Sequence, residues 1–128
     1  MDKATKTFGN YVKQKRLEHT PKYTLKKMSE ALGINLTQLS DIENGRKKPF
    51  DKDKIELFCS ILALSDSEKA ELYDLQARDS ECVPADIADT IMYTEEGDYA
   101  RAALRMVNQG KGSIELWKDL IRKMEEDS

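Results

Sequence analysis

The chain has 128 residues and a net charge of −3, with 39% hydrophobic residues, 35% charged residues and few glycines and prolines. This composition favours an all-α protein of one domain, with room for a small appended subdomain. No apolar run approaches the about 20 residues that a membrane-spanning helix needs, and the first 20 residues are polar and charged. The sequence therefore predicts a cytoplasmic protein that does not enter a membrane.

The first predicted helix runs from Thr7 to about Glu18, after a terminus at residues 1–5 that we expect to be frayed. Phe8 and Val12 are four positions apart and should face the core. The segment 19–23 is a loop in which His19 is solvated and Tyr23 covers the core.

Two short helices are predicted between Thr24 and Gly45. Thr24 caps the first helix, whose apolar face ends at Leu32, and Gly33 ends that helix in a conformation that tolerates positive φ. Asn35 caps the second helix, which ends near Glu43 and buries Leu39 and Ile42. Ser29 is small enough to let the two helices cross closely. A short turn with glycine between two helices is typical of a helix-turn-helix, although helical hairpins also occur in proteins that never touch DNA.

The segment 44–49 that follows is short and basic, and the charge of the whole chain is divided unevenly around it. Residues 1–50 carry 11 basic and 5 acidic side chains, whereas residues 51–128 carry 10 and 19. A basic half that contains a helix-turn-helix pattern indicates phosphate binding. The alternative is an ordinary solvated turn.

Two further helices complete the predicted bundle. Asp51 caps the fourth helix, whose apolar stripe consists of Ile55, Phe58, Cys59 and Leu62, broadened by Leu57 and Ile61. Ser65 and Glu68 form a capping box that begins the fifth helix, which buries Leu72, Tyr73 and Leu75 and ends near Arg78.

Residues 79–128 are predicted to be a C-terminal helical extension that begins with a polar break. A short helix starts at Pro84 and ends at Met92, Thr94 caps the next helix, in which Arg101 and Arg105 are exposed, and Ser113 caps the last. One face of the last helix carries Trp117, Leu120, Ile121 and Met124. This face can pack on the bundle, form a dimer interface or hold a protein partner.

Over about residues 6–78 the sequence resembles the Xre-type, phage-repressor-like helix-turn-helix regulators. The resemblance rests on Phe8-Gly9, Tyr11 to Glu18, Leu25 to Gly33, Leu39 to Gly45 and Arg46 to Pro49. It implies a five-helix repressor-like helix-turn-helix bundle, in which Arg16 pairs with Glu43 as a structural contact.

The resemblance also implies which residues meet DNA. The base-contacting set is Leu36, Thr37, Gln38, Ser40 and Asp41. Leu36 can pack on a thymine methyl group, and Asp41 can accept from a cytosine amino group, unless it is solvated or pairs with a nearby lysine. The phosphate-contacting set is Thr24, Lys26, Asn35, Asn44, Arg46, Lys47 and Lys48. Leu25 departs from the family, which often has a phosphate-binding glutamine there.

No catalytic or metal-binding pattern is present, so we expect neither an enzyme nor a cofactor. The single histidine has no obvious partner, and no glycine-rich phosphate loop is visible. Cys59 and Cys82 are 23 positions apart without further ligands, which argues against a metal site.

The sequence therefore predicts a regulator, most simply a homodimeric repressor, that binds operator DNA at its own promoter. The alternative is an antitoxin-like partner whose C-terminal helices hold a toxin or a metallopeptidase. A third possibility is a helical interaction module that has lost DNA binding.

Overall fold

The computed structural model describes residues 6–127, and regular structure within that range is entirely helical. The all-α prediction is confirmed, and the frayed terminus predicted at residues 1–5 lies outside the described range. The helices are α1 (Phe8–Glu18), α2 (Leu25–Leu32), α3 (Leu36–Glu43), α4 (Lys52–Leu62), α5 (Asp66–Ser80), α6 (Ala88–Tyr93), α7 (Glu95–Asn108) and α8 (Ile114–Glu126). Over the same range, none of them combines the length and the apolar character needed to cross a bilayer.

Side-chain oxygens cap the N-terminus of seven helices, as the sequence largely predicts. Each cap accepts a hydrogen bond from the backbone N–H three residues later, which satisfies a donor that has no partner inside the helix. The caps are Thr7, Thr24, Asn35, Asp51, Ser65, Thr94 and Ser113. Ser65 and Glu68 form the predicted capping box.

The described part of the chain divides into two compact units, residues 6–88 and residues 89–127. This boundary lies ten residues after the one predicted from the polar break at residue 79. Helix α5 continues to Ser80, and the Cys82 N–H then donates to Ala77 O, which turns the chain back. Ala85 packs against the core of the first unit. The helix predicted from Pro84 is wrong in its start, because residues 84–87 form a turn and α6 begins at Ala88.

The first unit has a continuous apolar core to which all five helices contribute. Phe8 and Phe50 meet edge to face with ring centroids 4.9 Å apart. The fully buried large side chains are Phe8, Val12, Met28, Leu32, Leu39, Ile55, Phe58, Leu72, Tyr73 and Leu75. The expectation that Leu57 broadens the buried stripe of α4 is wrong, because its side chain is 38% exposed.

Gly9 lets α1 cross directly over the end of α3. A Cβ atom at this position would lie 2.4 Å from Ile42 O and 2.5 Å from Glu43 O, which is closer than real Cβ atoms come to backbone oxygens. The crossing therefore requires a residue without a side chain. It fixes the position of α3 against α1 through backbone contact.

Helix α1 is also bound to α5 by charge. Lys15 Nζ lies 2.8 Å from Glu68 Oε2 and 5.1 Å from the centre of the Tyr11 ring. The hydrogen bond from Lys15 lowers the pKa of the Glu68 carboxyl to about 2, assisted by the backbone N–H of Ser65.

Candidate nucleic-acid interface

The connection between α2 and α3 is closed by hydrogen bonds at both ends. Gly33 adopts φ +71° and its N–H donates to Glu30 O, while the Ile34 N–H donates to Ser29 O at 3.0 Å. Lys54 Nζ donates to Leu32 O at 2.7 Å from α4, which satisfies another terminal carbonyl. The predicted turn is present, and the fourth helix supports it.

Helix α3 has one buried face and one exposed face. Leu39 and Ile42 lie in the core, as predicted. Leu36 and Thr37 are exposed, and Gln38 is half-buried beside them. Asn35 Oδ1 accepts from the Gln38 N–H at 2.7 Å, which fixes the first turn. Four of the five predicted base-contacting side chains are polar, and the apolar one, Leu36, is 46% exposed.

The end of α3 is anchored by the ion pair that the family resemblance implies. Arg16 donates from Nε and Nη2 to the two carboxylate oxygens of Glu43, each at 2.9 Å. Arg16 Nη1 also donates to Tyr23 O at 2.8 Å. Both charged side chains are buried, at 7% and 4% exposure. This bidentate pair joins α1, the loop before α2 and the last residue of α3.

The segment 44–49 is held to α3 by hydrogen bonds to two backbone carbonyl oxygens of that helix. The Asn44 N–H and its Nδ2 both donate to Ser40 O, at 3.0 and 2.9 Å. Asp41 O accepts from the N–H groups of Arg46 and Lys47, at 2.8 and 3.2 Å. Gly45 reverses the chain with φ +76°. The basic side chains therefore project from an ordered loop.

Asp41 and Arg46, predicted to contact a base and a phosphate respectively, are brought together. Arg46 Nε donates to Asp41 Oδ1 at 3.0 Å, with Arg46 64% exposed and Asp41 22% exposed. The sequence offers a nearby lysine as the alternative partner of the Asp41 carboxylate. An arginine five residues away takes that role.

The other predicted phosphate-contacting residues lie at the ends of α2 and α3. The Thr24 hydroxyl and the Asn35 amide oxygen each accept from a backbone N–H as helix caps. The lysine side chains are exposed, namely Lys26, Lys47 and Lys48. Leu25, where the family often has glutamine, is half-buried against the core. Lysine side chains thus supply positive charge near the N-terminus of α2 and after the C-terminus of α3.

A groove of about 520 Å³ runs between the first turn of α1 and the segment 44–49. Its lining includes Thr7 and Asn10 as well as Asn44, Arg46 and Lys48. Thr7 and Asn10 are not among the DNA-contacting residues that the sequence predicts. Gly9 places both residues at this groove, because it allows the close approach of α1 to α3. A glycine within the first helix is the sequence signal that could have pointed to them.

The predicted interface residues of the second unit lie on α8. Trp117 is half-buried, whereas Leu120, Ile121 and Met124 are exposed. The prediction that Arg101 is exposed is wrong: its guanidinium donates to Ile91 O and to Asp98, which fastens α7 to α6.

Comparison with known proteins gives one informative similarity. No family model matches the sequence, and no solved structure matches it. The chain is 35% identical over 98 residues to the "ImmF control region 10 kDa protein" of Bacillus phage phi105. The similarity covers 77% of this chain and 87% of the phage protein. The chain therefore belongs to the family of this phage control-region protein.

Proposed function

We propose that this chain is a sequence-specific, double-stranded DNA-binding transcriptional regulator of the Xre type. In this proposal residues 6–78 are a five-helix repressor-like bundle and α2 and α3 are its helix-turn-helix. The chain represses its own promoter. Membership in a family with a phage control-region protein supports a regulatory role.

The observation that carries the proposal is the two-sided character of α3. Leu39 and Ile42 bury one face, while Leu36, Thr37 and Gln38 are presented on the other. An α-helix fits the major groove of B-DNA, where side chains of these types can contact base edges and the thymine methyl group. The caps and the backbone hydrogen bonds of the loop hold α3 without engaging the side chains of Leu36, Thr37 and Gln38.

The surrounding residues supply the contacts that position the helix. Lys26 lies in the first turn of α2, where the helix dipole and free backbone amides also favour a phosphate. Lys47 and Lys48 extend from the ordered loop after α3, beside Asn44. Such contacts add affinity without sequence preference, and they weaken as salt rises.

We propose further that the protein acts as a homodimer through the apolar face of α8. Leu120, Ile121 and Met124 are 48%, 57% and 64% exposed, and Trp117 is half-buried beside them. A dimer places two recognition helices at half-sites about 34 Å apart, which suits a palindromic operator.

The same face favours a second candidate function, in which the partner is a different protein such as a toxin or a metallopeptidase. The two candidates differ in what occupies α8. Light scattering on the purified chain distinguishes them: a dimer at micromolar concentration supports self-association. A monomer that binds the product of a neighbouring gene supports the antitoxin-like function.

Fluorescence anisotropy tests DNA binding. Labelled duplexes from the region upstream of the gene are compared with an unrelated duplex of equal length, at about 50 and 200 mM salt, a range over which phosphate-driven affinity falls steeply. The proposal predicts tighter binding to the upstream DNA that persists at the higher salt. Equal, salt-sensitive binding to both duplexes would contradict it.

A further inference from the structure

The Asp41–Arg46 ion pair lies at the edge of the proposed recognition surface. Arg46 Nε donates to Asp41 Oδ1 at 3.0 Å. Asp41 is 22% exposed, whereas Arg46 is 64% exposed and extends into solvent. The carboxylate is therefore the more enclosed partner, and the guanidinium is the group that a ligand would meet.

Asp41 controls Arg46 through its backbone as well as its side chain. Its carbonyl oxygen accepts from the Arg46 N–H at 2.8 Å, and Oδ1 accepts from Arg46 Nε. One residue of α3 therefore holds Arg46 at its backbone N–H and at Nε. This arrangement reduces the rotamer freedom that a free arginine would lose on binding.

The geometry leaves one edge of the guanidinium for DNA. With Nε engaged, the outer edge of the guanidinium still carries two roughly parallel N–H donors, one on Nη1 and one on Nη2. That fork matches the O6 and N7 acceptors of guanine in the major groove. A phosphate could accept the same fork, but the carboxylate beside Arg46 offsets its charge. Lys47 and Lys48 have no such carboxylate partner among the described residues, and they suit the phosphates better.

We infer that Asp41 is a positioning residue that holds Arg46 to contact a guanine of the operator, and is not itself an acceptor for cytosine. The inference rests on the proposed function, because it assumes that α3 lies in the major groove. In this inference the Asp41–Arg46 ion pair recognises one G·C base pair of the operator, and Lys47 and Lys48 contact the phosphates.

The test begins with selection of preferred duplexes from a randomised pool by the full-length chain. Affinity is then measured by anisotropy on the selected duplex and on each of its single base-pair variants. The proteins are wild type, Asp41→Ala, Asp41→Asn, Arg46→Lys and the control Lys47→Ala. Circular dichroism establishes that each variant is folded.

The wild type should favour one G·C pair by about 10- to 100-fold, the range of a bidentate arginine–guanine contact. Arg46→Lys should reduce the preference at that same pair to about threefold or less, since lysine lacks the planar fork of the guanidinium. Asp41→Ala should reduce it to the same extent, because Nε then has no carboxylate to hold the guanidinium in place. Asp41→Asn should retain part of it, because an amide oxygen can still accept from Nε.

Two readouts separate positioning from a purely structural role. Asp41→Ala should bind unrelated DNA as tightly as the wild type or more tightly, because a negative charge has been removed. Lys47→Ala should keep the G·C preference while the salt dependence of log Kd falls by about 0.9, the change expected for one phosphate contact.

Three results would overturn the inference. In the first, Asp41→Ala and Arg46→Lys act at different base pairs; in the second, Asp41→Ala leaves every preference intact; in the third, Asp41→Ala weakens binding to all duplexes equally. A wild type that selects duplexes, with any of these results, defeats the inference and leaves the proposed function standing. A wild type that selects no sequence defeats both.

Discussion

The two units of the chain use similar amphipathic helices to different ends. In residues 6–88, five helices share one core that encloses ten large apolar side chains. In residues 89–127, the only buried residue is Gly97, and 11 of the 16 exposed large hydrophobic side chains of the described chain are found there. Three helices cannot bury all their apolar faces among themselves. The comparison teaches that the first unit is complete as a fold, whereas the second has apolar surface available for assembly.

Both units nevertheless use glycine at a close helix contact. A Cβ atom on Gly9 would lie 2.4 Å from Ile42 O, and one on Gly97 would lie 2.2 Å from Thr90 O. The same steric device therefore operates in a unit with a buried apolar core and in a unit whose only buried residue, among those described, is the glycine itself. This allows the two regions to be compared with matched substitutions.

The largest expected effect is at the buried ion pair. Arg16→Ala leaves the Glu43 carboxylate buried without its partner, and should lower the free energy of unfolding by about 3–5 kcal/mol. Urea unfolding followed by circular dichroism measures this. The matched control is Arg122→Ala in α8, which removes exposed pairs with Asp119 and Glu126 and should cost less than about 1 kcal/mol. A similar loss in the free energy of unfolding for both variants would contradict the distinction between a buried ion pair in the first unit and exposed ion pairs in the second.

The two glycines sharpen the comparison further. Gly9→Ala should lower the free energy of unfolding of the first unit by about 1–3 kcal/mol, because the backbone of α3 must move, and should weaken DNA binding. Gly97→Ala should disturb the second unit alone. The single tryptophan, Trp117, reports on that unit by fluorescence, while far-ultraviolet circular dichroism follows all helices. A Gly9→Ala variant with unchanged stability would contradict the close crossing.

Removal of Trp117 tests the use of the exposed face. Trp117→Ala should weaken self-association by about 2 kcal/mol, roughly 30-fold, as expected for a central aromatic side chain of an interface. Sedimentation equilibrium measures the dissociation constant. Lys118→Ala, on an exposed neighbouring residue, is the control and should leave the constant unchanged. The same dissociation constant for the wild type and both variants would contradict the proposal that the apolar face of α8 forms the dimer interface.

The smallest expected effect is a pH dependence confined to the first unit. The pKa of Glu68 is lowered to about 2, mainly by Lys15, from an ordinary value of 4.5. Its stabilising contribution is therefore complete above about pH 4.5 and is lost as pH falls through about 2.

The variant Glu68→Gln should consequently be less stable than the wild type by about 1 kcal/mol at pH 6, since the pair is partly exposed and screened. The difference should shrink toward zero near pH 2. Chemical unfolding across this range measures it. Glu115→Gln, which removes an exposed pair of α8, is the control and should change stability little at pH 6. A penalty at Glu68 that does not change with pH would contradict the assignment.

The sequence predicted most of the first unit because its signals are local. Caps such as Thr24 and Asn35, and the apolar spacing of Leu39 and Ile42, depend only on residues within one or two turns. The Arg16–Glu43 pair was accessible only through the family resemblance, since 27 positions separate its members.

Other features could not be predicted because they depend on chain geometry outside regular helices. Arg46 reaches Asp41 only because Gly45 reverses the chain, and Lys54 reaches Leu32 O from another helix. Helices α4 and α5 end in left-handed residues, Ala63 and Glu81, which carry no glycine signal. Leu57 is 38% exposed although its neighbours Ile55 and Phe58 are buried, because periodicity does not specify how far around a helix the buried face extends.

The most direct test of the account is whether the outward face of α3 determines which DNA is bound. Anisotropy would compare the wild type with the double variant Thr37→Ala/Gln38→Ala, using the upstream duplex and an unrelated duplex. The account predicts that the variant binds both duplexes equally, with the salt dependence of the wild type, because the phosphate contacts are intact. A variant that still prefers the upstream duplex as strongly as the wild type would contradict recognition by α3.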